Sequence, residues 1–237
     1  MNQYIFKGLI LPERALISFG PFDAELMPLV SKNSIAVKIN VVLNQLTIWV
    51  YSNSAWDIYD LRNIVKTWAT SIIAVFGFVL GHAYEVTINQ VLNEKENIDY
   101  VFGIDTPCIK ERNKEVDLNT RISEILNKTS GEFGIYISRS FNDLLMALKH
   151  HNDTFFYCFR AIEALKQYCK YKFEIEKEKD QWKKVCEISG FNKKHIETIR
   201  EKAFPARHGD GSAFTSEDRA NALNKTWDVV ESFIEKI

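Results

Sequence analysis

The chain has 237 residues, enough for one large domain or two modest ones, and its 46% apolar and 26% charged content excludes an intrinsically disordered chain. A net charge of −1 excludes a global basic field, so any contact with nucleic acid is expected to be local and salt-sensitive. The four cysteines, Cys108, Cys158, Cys169 and Cys186, form no CxxC pair, which reads as buried thiols in a reducing cytoplasm rather than disulfides or zinc ligands.

At the N-terminus no basic segment precedes an apolar core, so no signal peptide is expected. "QYIFKGLIL" and "ALISF" read as short strands separated by Pro12, Glu13 and Arg14. "SIAVKINVVLNQLTIWVYS" holds two valine- and isoleucine-rich runs, a hairpin with Asn44 and Gln45 at its turn. In the next segment Leu61, Ile64, Val65, Trp68, Ile72, Val75, Phe76 and Val79 recur at three and four, predicting a helix with Asp57 as N-cap and Gly81 as its stop. Its most apolar part, residues 68–81, is shorter than the roughly 20 residues that span a bilayer, so it reads as a buried helix and no membrane contact is expected.

"HAYEVTINQVL" alternates Tyr84, Val86, Ile88 and Gln90 against its neighbours, and "IDYVFGI" is its hairpin partner across "NEKEN". Residues 1–110 thus read as a small antiparallel sheet with one long helix on it. After Pro107 and a charged run, strand signals nearly vanish. Helices are expected over 118–128 and 134–150, the second carrying Phe141, Leu144, Leu145 and Leu148. Another starts near Asp153 and Thr154, with Phe155, Phe159, Ile162, Leu165 and Cys169 on one face. Further helices carry Trp182, Val185 and Ile188, stopping at Gly190, and then Ile196, Ile199 and Ala203, stopping at Pro205. The last opens on a capping box from Thr215 to Asp218 and carries Leu223, Trp227, Val230 and Ile234. Residues 111–237 therefore form a helical bundle, and the whole chain is α+β.

Two clusters could carry chemistry. Arg160, Glu163 and Gln167 share one face of their helix, either as a solvated ion pair or as a face turned to another polar element. In "FPARHGDGSAFTSED", Pro205, Gly209 and Gly211 bracket Arg207, His208 and Asp210. A histidine titrates near neutral pH and an arginine is a fixed planar cation, a pair suited to phosphodiester cleavage. The plain alternative is a connecting loop whose histidine caps a helix and whose Asp210 starts a turn. His150 and His151 are adjacent and have no acidic neighbour at ligand spacing, so no metal site is expected. Neither a GxxxxGK[ST] run nor a GxSxG elbow occurs.

"FFYCFRAIEALKQYCK", with "ARHGD" some forty residues later and a closing amphipathic helix, resembles the HEPN superfamily over about residues 118–237, closest to its Apea-like branch. The resemblance implies a bundle that dimerises, brings two histidine loops into one cleft and, in active members, cleaves RNA without a metal or cofactor. On it, His208 is the general acid or base and Glu163, backed by Arg160, orients the site. The family arginine ahead of the histidine is displaced here: Lys202 stands in its place, and Arg200 and Arg207 are the guanidinium groups that could serve instead. The resemblance therefore implies a cytoplasmic endoribonuclease of a prokaryotic stress or defence system, or a toxin of that kind silenced by a regulatory protein partner. The other expectation is a non-catalytic module that dimerises and binds a nucleotide, RNA or a protein.

Overall fold

The structure is a computed structural model that describes residues 1–28, 31, 33–103, 106–110, 112, 117–207 and 214–237, with the backbone alone at 206 and 207. It is α+β and divides into two compact units, Met1–Asp105 and Thr106–Ile237.

In the first unit, strands β1 (Asn2–Leu11), β2 (Phe19–Leu26), β3 (Ile35–Val42), β4 (Gln45–Ser52), β5 (Glu85–Asn93) and β6 (Ile98–Val101) form one sheet, in the order β2-β3-β4-β1-β5-β6. Every neighbouring pair is antiparallel. Alternation sends Tyr4, Phe6, Ile10, Val37, Ile39, Ile48 and Val50 to one face, which is buried. Helix α1 (Ile58–Leu80) closes that face with Leu61, Val65, Ala69 and Ile73. Asp57 caps it by accepting from the backbone N–H groups of Tyr59 and Asp60, and Gly81 ends it at φ 65°, a left-handed conformation that glycine adopts without strain.

The sheet departs from the sequence reading at three points. "ALISF" is not a strand: residues Glu13–Ala15 form a 3-10 turn and β2 begins at Phe19. The buried Asn44 side chain organises this segment, donating to the carbonyls of Pro12 at 3.2 Å and Glu13 at 2.9 Å and accepting from the Ile17 N–H at 2.6 Å. Those bonds replace a sheet ladder. The β3–β4 turn falls on Leu43 and Asn44, both left-handed (φ 46° and 68°), one residue earlier than expected and as a two-residue hairpin requires. In β5 the alternation changes phase, because the register with β1 shifts between Lys7 and Gly8 and burial passes from Val86 and Ile88 to Val91. A Cβ on Gly8 would stand 1.9 Å from the Thr87 carbonyl oxygen, so only glycine fits there.

Helix α1 keeps the expected bounds, but not the expected burial. It runs 23 residues, because the Asp57 cap starts it well before the apolar stretch, and by length and composition it could cross a membrane. One stripe lies on the sheet, while Val75, Phe78, Val79 and Leu80 are exposed at its C-terminal end.

The second unit is helical: α2 (Pro107–Lys110), α3 (Leu118–Thr129), α4 (Gly134–Lys149), α5 (Thr154–Lys172), α6 (Glu178–Ser189), α7 (Lys193–Arg207) and α8 (Ser216–Glu235). Helix α5 is the axis, packed against α4, α6, α7 and α8, and its Phe155, Phe159, Ile162, Leu165 and Cys169 join Ile137, Leu144, Val185, Ile199, Val230 and Phe233 in the core. Leu145, expected on the core stripe of α4, is exposed, and Ile137 and Ala147 take the inner positions. Pro205 does not end α7; it stands inside the last turn, and the helix continues to Arg207. A proline lacks one N–H and crowds the carbonyl four residues back, a cost that disrupts less in the last turn than mid-helix. Thr215 and Asp218 form the reciprocal capping box of α8. All four cysteines are free thiols of this unit.

Candidate functional site

Helices α4 and α5 pack along a polar groove of about 570 Å³, lined by Tyr136, Arg139, Asn142 and Asp143 from α4 and by Arg160, Glu163, Ala164 and Gln167 from α5. On each helix the polar residues recur at three and four, so each presents a single face to the groove.

Its electrostatic centre is an ion pair. Arg160 Nη2 stands 3.1 Å from Asp143 Oδ1, and the Asp143 side chain is only 9% exposed whereas that of Arg160 is 48% exposed. Burial pushes the Asp143 carboxyl above its ordinary pKa; Arg160 and Arg139 pull it down, and the neighbouring Glu163 adds to the rise. Asp143 is thus a shielded anion that fixes an accessible guanidinium. Arg160 also lies over the rings of Phe156 and Tyr157, at 5.4 and 5.6 Å from their centroids, which restrains its plane further. Arg139 is exposed beside the Tyr136 ring, 5.8 Å from its centroid, and Tyr136 stacks on Tyr171 at 5.2 Å.

Two guanidinium groups, two carboxylates and two carboxamides in one cleft can hold a ligand that carries both an anionic group and a hydrogen-bonding edge. Among the described residues no group of three or more His, Cys, Asp or Glu side chains could hold a metal ion.

Of the site residues expected from sequence, the groove unites Arg160 and Glu163, together with Gln167. Arg160 takes Asp143 as its partner across the helix pair. Arg200 is exposed on α7 and does not line the groove; its charge acts on Glu178 of α6. Lys202, the other cation considered, is engaged by Asp218 at 2.7 Å and lies over Phe155 and Phe214, tying α7 to the start of α8. His208, Asp210 and the Arg207 side chain lie outside the described residues.

Sequence reading missed Asp143, Arg139 and Asn142. Their signal was present as Arg139 and Asp143 at i and i+4 on a helix whose other face is apolar, but nothing in one helix says which partner it will meet.

Residues 4–102 match the model of a family described as the N-terminal domain of a domain of unknown function, DUF8168, and residues 122–237 match the model of its C-terminal domain. No curated protein and no solved structure matches the chain.

Proposed function

We propose that the helical unit acts on RNA, holding a nucleotide or a short RNA segment in the α4–α5 groove. The observation that carries this reading is the Arg160 guanidinium, oriented by the shielded Asp143 and still half exposed to a ligand. Arg160 and Arg139 supply planar, permanently charged donors for phosphate oxygens. Asn142 and Gln167 offer paired donors and acceptors for a base edge, and Glu163 accepts from a sugar hydroxyl.

In its catalytic form the unit is a HEPN-type, metal-independent endoribonuclease that works as a homodimer in the cytoplasm of a prokaryote, in stress or defence, under a regulatory protein partner. His208 takes the proton from a 2′-hydroxyl, whose oxygen attacks the adjacent phosphorus while the 5′-oxygen leaves and is protonated. Arg207 faces the phosphoryl charge, and the products are a 2′,3′-cyclic phosphate and a 5′-hydroxyl. In its non-catalytic form the same groove only binds.

Binding and cleavage of RNA in EDTA, compared between the wild type, Arg160→Ala and His208→Ala, test the reading. Arg160→Ala is expected to weaken binding about tenfold, the worth of one charge-assisted contact. Cleavage abolished by His208→Ala, with cyclic-phosphate ends from the wild type, establishes the catalytic form. Binding without cleavage establishes the module, and an Arg160→Ala affinity equal to that of the wild type refutes the groove.

A further inference from the structure

The sheet has a second face, opposite α1, and its composition is not that of an ordinary solvated surface. Register places Trp49 of β4 between Ile5 of β1 and Lys38 of β3. Two residues along, Tyr51 stands between Gln3 and Ala36, and two residues back, Thr47 stands between Lys7 and Asn40. Directly opposed side chains on antiparallel strands lie within contact of one another. Trp49 therefore has Lys38 directly opposite on β3 and Lys7 diagonally across on β1, with Tyr51 next to it on the same face of β4.

This face is open to solvent: Gln3, Lys7 and Ala36 are exposed around the two aromatic residues. Between the β2 edge and β4 it is concave, with a pocket of about 370 Å³ lined by Pro21, Lys38, Asn40, Trp49 and Tyr51, within the size range of small-ligand sites. Lys38 pairs with Asp23 at 3.8 Å, with both side chains largely exposed, a contact weak enough to exchange for a ligand. Acids occupy the margins, Asp23 and Glu25 on β2, Glu85 on β5 and Asp99 on β6. The cations lie inside that rim, so an anionic chain is drawn along β1, β4 and β3 rather than across the edges.

We propose that this face binds single-stranded RNA, with a base stacked on Trp49 in the pocket beside Pro21 and phosphates met by Lys7 and Lys38. Every base has a π-face, and stacking on an aromatic platform flanked by cations is how sheets hold single strands. Asn40, Thr47 and the Tyr51 hydroxyl, which accepts from Gln3 Nε2 at 3.4 Å, are hydrogen-bonding groups on the same face and can meet a 2′-hydroxyl. A neutral oligosaccharide has no use for two ammonium groups, and an added peptide strand pairs with a sheet edge, not a face.

The test is fluorescence anisotropy of a labelled single-stranded RNA of about twelve nucleotides with the full chain, within the footprint of such platforms. Trp49→Thr, which keeps strand propensity and removes the ring, is expected to weaken binding about tenfold or more, while Trp49→Phe keeps it within about threefold. Lys7→Gln with Lys38→Gln is expected to lower the slope of log affinity against log salt by about 1.4, two phosphates at about 0.7 each. Circular dichroism first confirms that each variant is folded. Unchanged affinity in Trp49→Thr, no binding by the wild type, or equal binding of single-stranded DNA of the same sequence overturns the proposal. The platform and the α4–α5 groove lie in different units, so the Trp49 and Arg160 variants report on them separately.

Discussion

Helices α1 and α5 invert what their sequences suggest. α1 is the more apolar, long and hydrophobic enough to cross a bilayer, yet it buries only four residues, Leu61, Val65, Ala69 and Ile73. α5 carries Arg160, Glu163, Lys166 and Gln167 in its middle, yet eleven of its nineteen residues are buried. The difference lies in neighbours. α1 lies on a single sheet face, whereas α5 is enclosed by α4, α6, α7 and α8. Hydrophobicity states how much a helix could bury; packing partners decide how much it does. In α5 that enclosure also makes function possible, because a helix buried on most sides can hold its remaining polar face rigidly against α4.

The contrast is sharpest in the core. Ile162 is fully buried at the centre of the bundle, and Ile162→Ala is expected to cost the helical unit about 2–5 kcal/mol through lost transfer energy and a residual cavity. Denaturant unfolding followed by far-UV circular dichroism measures it. A loss below about 1 kcal/mol would mean that α5 is not the structural axis assigned to it.

Alkaline pH separates the two units next. All four thiols lie in the helical unit, and burial pushes those of Cys158 and Cys169 up to about 12. A thiol in the unfolded chain titrates near 8.5, so the folded state holds its proton more tightly. This contribution is complete below about pH 8.5 and is lost as pH rises towards about 12. The sheet unit has no cysteine; its Tyr59 phenol is pushed up to about 12 by burial, then by the hydrogen bond with Tyr100, so its corresponding loss begins only near pH 10. Between those pH values the helical unit is expected to weaken first. Unfolding at about pH 8 and about pH 9.5 checks this, with Cys158→Ala and Cys169→Ala flattening the dependence. Equal sensitivity of both units would break the contrast.

These elements also show what the sequence made legible. The α1 cap at Asp57, the glycine stops at 81 and 190 and the Thr215–Asp218 box are local bonds written in adjacent residues, and all form as read. The Asn44 clamp on Pro12, Glu13 and Ile17 is a contact over some thirty residues, so "ALISF" read as a strand on composition alone. The candidate site divides the same way. Arg160, Glu163 and Gln167 on one face of α5 are set by spacing. Asp143 as the partner of Arg160 depends on how α4 docks, which no periodicity within α5 encodes.

The smallest expected effect is at the outer end of α1. Phe78 is 89% exposed, with Val75, Val79 and Leu80 beside it. Phe78→Ser removes a large apolar side chain that makes little contact, so it is expected to change stability by less than about 0.5 kcal/mol. Serine and phenylalanine have similar helix propensities, so the exchange adds little backbone cost. The same substitution at a buried position of α1 would leave a cavity and bury an unpaired hydroxyl, with a loss of several kcal/mol. Thermal unfolding of Phe78→Ser therefore asks whether apolar sequence or packed surface holds α1 in place. An unchanged midpoint assigns the work to Leu61, Val65, Ala69 and Ile73, and a large fall would show that the exposed end is covered when the protein is folded in solution.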